Sequence, residues 1–184
     1  MALPPQPLSP LDGRYAPVVT ELGEHLSEAG LNRARVHVEI EWLLLLTERR
    51  AFGVEPLSAE QRAALREWAA GFGENDIAWL AQKERETRHD VKAVEYLIRA
   101  KLTELGLDRV AELVHFAATS EDINNLAYAI TIRDALREVW LPKLDALVTR
   151  LAKLAKATAG DAMLAASRRT RARPMISMRQ LSLG

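Results

Sequence analysis

Seven consecutive positions, Thr119-Ser120-Glu121-Asp122-Ile123-Asn124-Asn125, place two hydroxyls, two carboxylates and two carboxamides ahead of a long apolar-periodic stretch. A helix N-terminus offers unpaired backbone N–H groups and the positive end of the helix dipole, so Thr119 and Ser120 could hold an anion there. A capping box of Thr119 with Asp122 explains part of the pattern through stability alone. It does not call for the carboxamides, because Asn is a mediocre helix former. A second cluster, Arg88-His89-Asp90, sets an imidazole between a guanidinium and a carboxylate. Such a group can bind phosphate or move a proton, and an ordinary helix start with a satisfied histidine fits it too. Arg14-Tyr15 follows an Asp12-Gly13 turn. It could grip an anion while stacking a ring, or simply anchor the N-terminal segment.

The remaining candidates are weaker. His25, His37 and His115 fall on stretches read as helical, and none has metal-ligand spacing with a third ligand, so no metal site is expected. Glu39 and Glu41 read as solvated charges on a helix face. The arginines at 168, 169, 171 and 173 could meet phosphates, but no aromatic residues interleave with them. Lys plus Arg equals Asp plus Glu at 25 each, so net charge makes no case for nucleic acid or membrane partners. The chain has no cysteine, which excludes disulfides, thiol nucleophiles and thiolate metal sites. No secretory leader is legible at the start, and the longest apolar run, residues 42–46, is far too short to span a bilayer. A cytoplasmic protein is expected.

The elements that must position these residues read as helices throughout. Apolar periodicity predicts helices over residues 32–50, 58–70, 74–85, 91–105 and 110–117. Ser58 with Gln61 fits a capping box, while Gly71, Gly73 and Gly106 read as stops. From Asp122 the pattern continues to about residue 157. Trp140, Leu144, Leu147, Leu151 and Leu154 form a bundle or coiled-coil seam, and Pro142 predicts a kink or break near Leu141. No convincing period-2 strand is present, so the expected fold class is all-α. The chain reads as an N-terminal helical domain over 1–109 and the start of a central helical bundle over 110–184, with an atypical tail at 168–184.

Three motifs, in order, resemble the amino-terminal part of the adenylosuccinate lyase family, within the fumarase and aspartase superfamily. They are Ser9-Pro10-Leu11-Asp12-Gly13-Arg14-Tyr15, then Arg88-His89-Asp90-Val91-Lys92-Ala93-Val94-Glu95-Tyr96, then His115-Phe116-Ala117-Ala118-Thr119-Ser120-Glu121-Asp122-Ile123-Asn124-Asn125. The likeness covers about residues 8–167, well under half of a full-length member. It implies a carbon–nitrogen lyase that eliminates fumarate from adenylosuccinate to give AMP, and from the succinyl-carboxamide intermediate earlier in purine synthesis. It implies small-molecule partners (adenylosuccinate, fumarate and AMP), no metal or organic cofactor, and a homotetramer with shared active sites. Arg14, Tyr15, Arg88, His89 and Asp90 would line the nucleotide pocket, with His89 near the phosphate or assisting proton transfer. Thr119 and Ser120 would hold a carboxylate of the succinyl arm.

Departures from the family accompany these matches. Members continue Ser-Arg-Thr-His-Gly-Gln-Pro where this chain has Ser167-Arg168-Arg169-Thr170-Arg171-Ala172-Arg173-Pro174, so the histidine expected there is absent. The later loop with the family's catalytic serine is absent as well. These departures lead us to expect a truncated product, frame-shifted near Ser167, with negligible lyase activity of its own. The other class of function open to such a chain is a non-catalytic helical module that associates through the Trp140 to Leu154 seam. A sister lyase acting on argininosuccinate or fumarate fits Asp12-Gly13-Arg14-Tyr15 and Thr119 to Asn125 less well.

Overall fold

One long helix, buried on nearly all sides, organises the molecule. The computed structural model describes residues 8–161 together with the backbone of 163–167 and 170–175. Along the chain run α1 (Thr20–Leu26), α2 (Glu28–Glu48), α3 (Ala59–Ala70), α4 (Glu74–Thr87), α5 (Asp90–Glu104), α6 (Ser120–Asp134) and α7 (Leu141–Ala157). The all-α expectation holds. One departure follows α7, where Met163–Ser167 and Thr170–Met175 pair as two antiparallel strands that the sequence pattern did not suggest. The side chains of the arginine-rich tail lie outside the described residues.

Chain contacts divide the molecule into two units, Met1–Leu136 and Arg137–Gly184. In the first unit α2 is the hub, with α1, α3, α5 and α6 packed around it. A helix enclosed by neighbours needs apolar residues all round rather than one stripe. Accordingly Val36, Ile40, Leu43 and Leu44 are buried, and so are Asn32, Arg35, Glu39 and Thr47. The apolar core adds Leu65, Val94, Ile98, Leu102, Leu107 and Val110 from the surrounding elements.

The helix ends follow local chemistry. Ser27 caps α2 by accepting from the Gly30 amide at 3.1 Å. Gly30 lies inside the first turn of α2, close against the end of α1, a helix that the sequence pattern did not suggest. A Cβ at Gly30 would stand 2.4 Å from the His25 carbonyl oxygen. Ser58 and Gln61 form the expected reciprocal box at α3. Gly106, at φ +67°, carries the chain away from α5 in the left-handed region that glycine favours.

The stretch expected as a helix over 110–117 is a 3-10 turn at Asp108–Leu113, after which Val114 is extended. The helical stretch expected from Asp122 to about residue 157 is present as three consecutive helical segments. A π-helical stretch, Ala135–Trp140, follows α6, and α7 begins at Leu141 with Pro142 in its first turn, where the missing N–H costs nothing. No non-helical residue separates the segments, since Ala135 and Trp140 both lie in the right-handed helical region, and the irregularity near Leu141 takes the form of the π-helical stretch. Along α7 no residue is buried, and Leu147, Val148, Leu151 and Leu154 are each more than half exposed.

Candidate functional site

Arg35 connects two of the motifs. Its side chain, 5% exposed, comes from the middle of α2. Nη2 donates to Asp90 Oδ2 at 2.6 Å, Nε to Asn124 Oδ1 at 2.9 Å and Nη1 to Asn32 Oδ1 at 2.9 Å. A buried guanidinium is stable only when its N–H groups find acceptors, and three elements supply them here. Asp90 opens α5 directly after His89, and Asn124 lies in the first turns of α6 after Thr119 and Ser120. One cation thus holds the imidazole cluster beside the hydroxyl cluster. It also accounts for one of the surplus carboxamides.

Asp90 is in addition the acceptor for its neighbour's amide, Val91 N–H, at 2.8 Å. Partial burial pushes its carboxyl upward, but the Val91 amide and the Arg35 guanidinium outweigh that and hold it below the usual carboxylate range. Its role is therefore structural at least in part. His89 caps α5 through its ring, with Nδ1 accepting from the Lys92 amide at 3.2 Å. Asp90 Oδ1 lies 3.7 Å from the same nitrogen, beyond hydrogen-bond reach. An imidazole that accepts at Nδ1 carries its proton on Nε2, so His89 offers an outward N–H donor from a half-exposed ring. Arg88 precedes it at φ 52°, closing α4 in the left-handed region.

The α6 start is a complete capping box. Thr119 N–H and Thr119 Oγ1–H both donate to Asp122 Oδ2 at 2.8 Å, and the Asp122 amide donates to Thr119 Oγ1 at 3.4 Å. The Thr119 backbone and hydroxyl bonds lower the Asp122 carboxyl below its ordinary range. The capping box expected of this segment is therefore present. Thr119 serves the cap, and Ser120 opens the helix as a half-buried hydroxyl. A groove of about 510 Å³ runs beside it between α2 and α6, lined by Trp42, Leu45, Ala117, Asp122, Leu126 and Ile130 among others.

Arg14 and Tyr15 stand apart. Arg14 Nη2 donates to Tyr15 Oη at 3.1 Å, and its guanidinium lies 4.7 Å from the ring centroid. The turn beneath them is built by Asp12, which accepts from the Ser9 and Leu8 amides, and by a Tyr15 amide bond to Pro10 O. Among the described residues, no hydrogen bond or ion pair joins this pair to His89, Asp90, Thr119 or Ser120. Both side chains are exposed.

Sequence reasoning missed one group altogether and misjudged another. Glu39, expected as a solvated charge, has a side chain 0% exposed, and its Oε1 is 2.5 Å from His115 Nδ1. Burial pushes its carboxyl above the usual range, against the opposing bond and charge of His115 and with help from Glu95. Helical period alone put Glu39 on the same footing as Glu41, which is indeed half exposed and forms a two-pronged pair with Arg66. What separates them is which side of α2 each occupies: His37 and Glu41 lie toward solvent, whereas Glu39 lies among the buried residues Arg35, Val36, Ile40 and Leu43. Arg35 was missed for the same reason. Among the described residues no group of histidine and carboxylate side chains could hold a metal ion, and no helix is long and apolar enough to cross a membrane.

A family model described as lyase matches residues 13–177. The adenylosuccinate lyase of Haemophilus influenzae (strain ATCC 51907 / DSM 11121 / KW20 / Rd) is 45% identical over 151 residues, which cover 81% of this chain and 33% of the relative. The adenylosuccinate lyase of Escherichia coli (strain K12) is 43% identical over 150 residues, 80% of this chain and 33% of the relative. That of Dictyostelium discoideum is 40% identical over 143 residues, 74% of this chain and 30% of the relative. The chain spans about a third of the length of the curated relatives it matches.

Proposed function

The chain belongs to the lyase family, and from that premise we propose that it supplies part of a site that eliminates fumarate from adenylosuccinate, giving AMP. The succinyl-carboxamide intermediate of purine synthesis is a second substrate of the same kind. The observation that carries this reading is the Arg35 clamp, which sets the His89 cluster beside the Thr119-Ser120 helix start. The names of the relatives agree with it.

β-Elimination requires removal of a carbon-bound proton next to a carboxylate, donation of a proton to the departing nitrogen, and fixed donors for the charge that develops. His89 is the catalytic candidate of this chain. Its Nε2–H would donate to the substrate phosphate or the leaving nitrogen. Ser120 and the first amides of α6 would receive a carboxylate of the succinyl arm, with the Thr119 hydroxyl joining them by exchanging its bond to Asp122. Arg14, Tyr15 and Arg88 would meet the nucleotide from exposed positions. Asp90 contributes by fixing the start of α5. No metal or organic cofactor has a part in this scheme. Residues 167–174 lack the family's histidine, so the chain alone is expected to turn over negligible substrate.

Calorimetric titration with adenylosuccinate, AMP and fumarate tests the reading. Adenylosuccinate should bind the isolated chain, and His89→Ala or the Thr119→Val, Ser120→Ala pair should weaken it about tenfold, the equivalent of about 1.4 kcal/mol. Absence of saturable binding, or binding indifferent to both changes, would remove the proposal. The same reading includes a cytoplasmic location, domains divided near residue 109, and assembly as a homotetramer.

One observation favours a second reading, a non-catalytic helical module. The row Leu147, Val148, Leu151 and Leu154 lies more than half exposed on α7, as an association surface would. Size-exclusion chromatography of the chain, alone and with a full-length lyase subunit, separates the two. Association without any nucleotide binding supports the module.

A further inference from the structure

We propose that Glu39 is a positioning residue of the lyase site, holding the His115 imidazole by Nδ1 from inside α2 so that Nε2 is the nitrogen presented to substrate. The inference rests on the fumarate-eliminating reading above and adds to it a residue that this reading does not use.

Three independent features converge on it. The first is the carboxylate itself. Glu39 Oε1 is bonded to His115 Nδ1, while Oε2 is buried and has no hydrogen-bond partner among the described residues. A carboxylate with one orphaned oxygen in a core costs stability, and burial raises the Glu39 carboxyl as that cost requires. A chain selected for stability alone would place an apolar residue or an amide there. A carboxylate behind an imidazole fixes the ring's tautomer and orientation and stabilises its protonated form.

The second feature is the loop that carries His115. His115 and Ala117 sit at φ 59° and 56°, in the left-handed region that non-glycine residues rarely adopt. Two fastenings keep it there. Trp42 Nε1 on α2 donates to the Phe116 carbonyl at 2.8 Å, and the Phe52 and Phe116 rings meet edge to face at 4.7 Å. Strained backbone held by its surroundings is characteristic of a site that needs a side chain in one place.

The third is what surrounds the free nitrogen. His115 is 15% exposed, four residues ahead of Thr119, and its Nε2 is 3.9 Å from Glu95 Oε1, too far for a hydrogen bond. Glu95 is itself engaged by Lys92 Nζ at 2.7 Å, and the Lys92 amide is the one that His89 Nδ1 accepts. The charged groups facing the imidazole are thus Glu39 on α2, Glu95 with Lys92 on α5, and Asp122 on α6, whose carboxyl feels the His115 charge. Nδ1–H is committed to Glu39, and Nε2 is left to accept a proton from substrate or, once the ring is doubly protonated, to donate to a substrate anion.

Long-range nitrogen–proton NMR of the histidine rings in the full chain, combined with adenylosuccinate titration, tests the inference. The wild type should show His115 with its proton on Nδ1, and its Nε2 resonance should move as adenylosuccinate is added. Glu39→Gln should mix the tautomers and weaken binding about tenfold with helical content unchanged, and Glu39→Asp should recover part of the loss. If wild type binds and Glu39→Gln binds equally well, or leaves the His115 tautomer unaltered, Glu39 is structural only and the inference falls while the lyase reading stands. If Glu39→Gln does not fold, the Glu39→Asp affinity decides in the same way. If the wild type itself fails to bind, both fall together.

Discussion

At the scale of residues, the two buried charges of α2 pull stability in opposite directions, and their substitutions should show it. Arg35 satisfies acceptors on three elements, so Arg35→Leu strands Asp90, Asn124 and Asn32. Losing one partner of a buried pair costs about 3–5 kcal/mol, and half-exposed Asp90 places this case at the lower end. Urea denaturation should report the loss. Asp90, whose carboxyl is lowered on folding, contributes stability above its ordinary pKa, and that contribution disappears as pH falls through the lower folded value. The gap between wild type and Asp90→Asn should therefore close in acid.

Glu39 behaves in the reverse sense. Its carboxyl is raised on folding, so the stability it contributes is complete below its ordinary pKa and is lost as pH rises through the folded value. Glu39→Gln leaves no charge stranded, since its amide can accept from Nδ1–H of one neutral tautomer or donate to the bare Nδ1 of the other. The variant should match wild type in acid and melt higher at neutral pH. A lower melting temperature at neutral pH would mean that the pair is net stabilising.

At the scale of elements, helix identity was legible because caps, glycines and apolar period act locally. The Ser58–Gln61 box, the Thr119–Asp122 box and the Gly106 stop are all present. What was not legible depends on partners far along the chain. Arg35 meets Asp90 and Asn124 across 55 and 89 positions, and Glu39 meets His115 across 76. Charged residues inside a helix have no sequence signature that separates a solvated face from a buried junction. The irregularity after Asp134 was half legible, since Pro142 signalled the start of α7 but nothing marked the π-helical stretch before it. Helix α1 was missed because it is short and buries no residue. Its consequence is measurable at Gly30, where α1 and α2 approach through backbone alone. Gly30→Ala forces a methyl against the His25 carbonyl and should destabilise by about 1–3 kcal/mol, read as a drop in melting temperature. An unchanged melting temperature would show that α1 yields without cost.

At the scale of the whole molecule, the site segments have different surroundings. The His89 and Thr119 clusters are fastened to the core through Arg35, whereas Arg14 and Tyr15 bond to each other on an exposed turn. Binding should therefore order the Arg14–Tyr15 pair more than it moves the other two. The row of leucines on α7 makes a separate prediction. Leu147→Glu with Leu151→Glu should abolish self-association, as followed by sedimentation velocity. Loss of binding together with association would mean that the site is completed by a second chain.

We propose that this chain receives the substrate of a fumarate-releasing lyase between its His89 cluster and the start of α6. A residue-resolved NMR titration of the labelled chain with adenylosuccinate tests that claim most directly. We predict saturable shifts concentrated at residues 14–15, 88–92 and 115–121, weakened by His89→Ala. Shifts that never saturate, or that gather on α3, α4 or α7 instead, would contradict it.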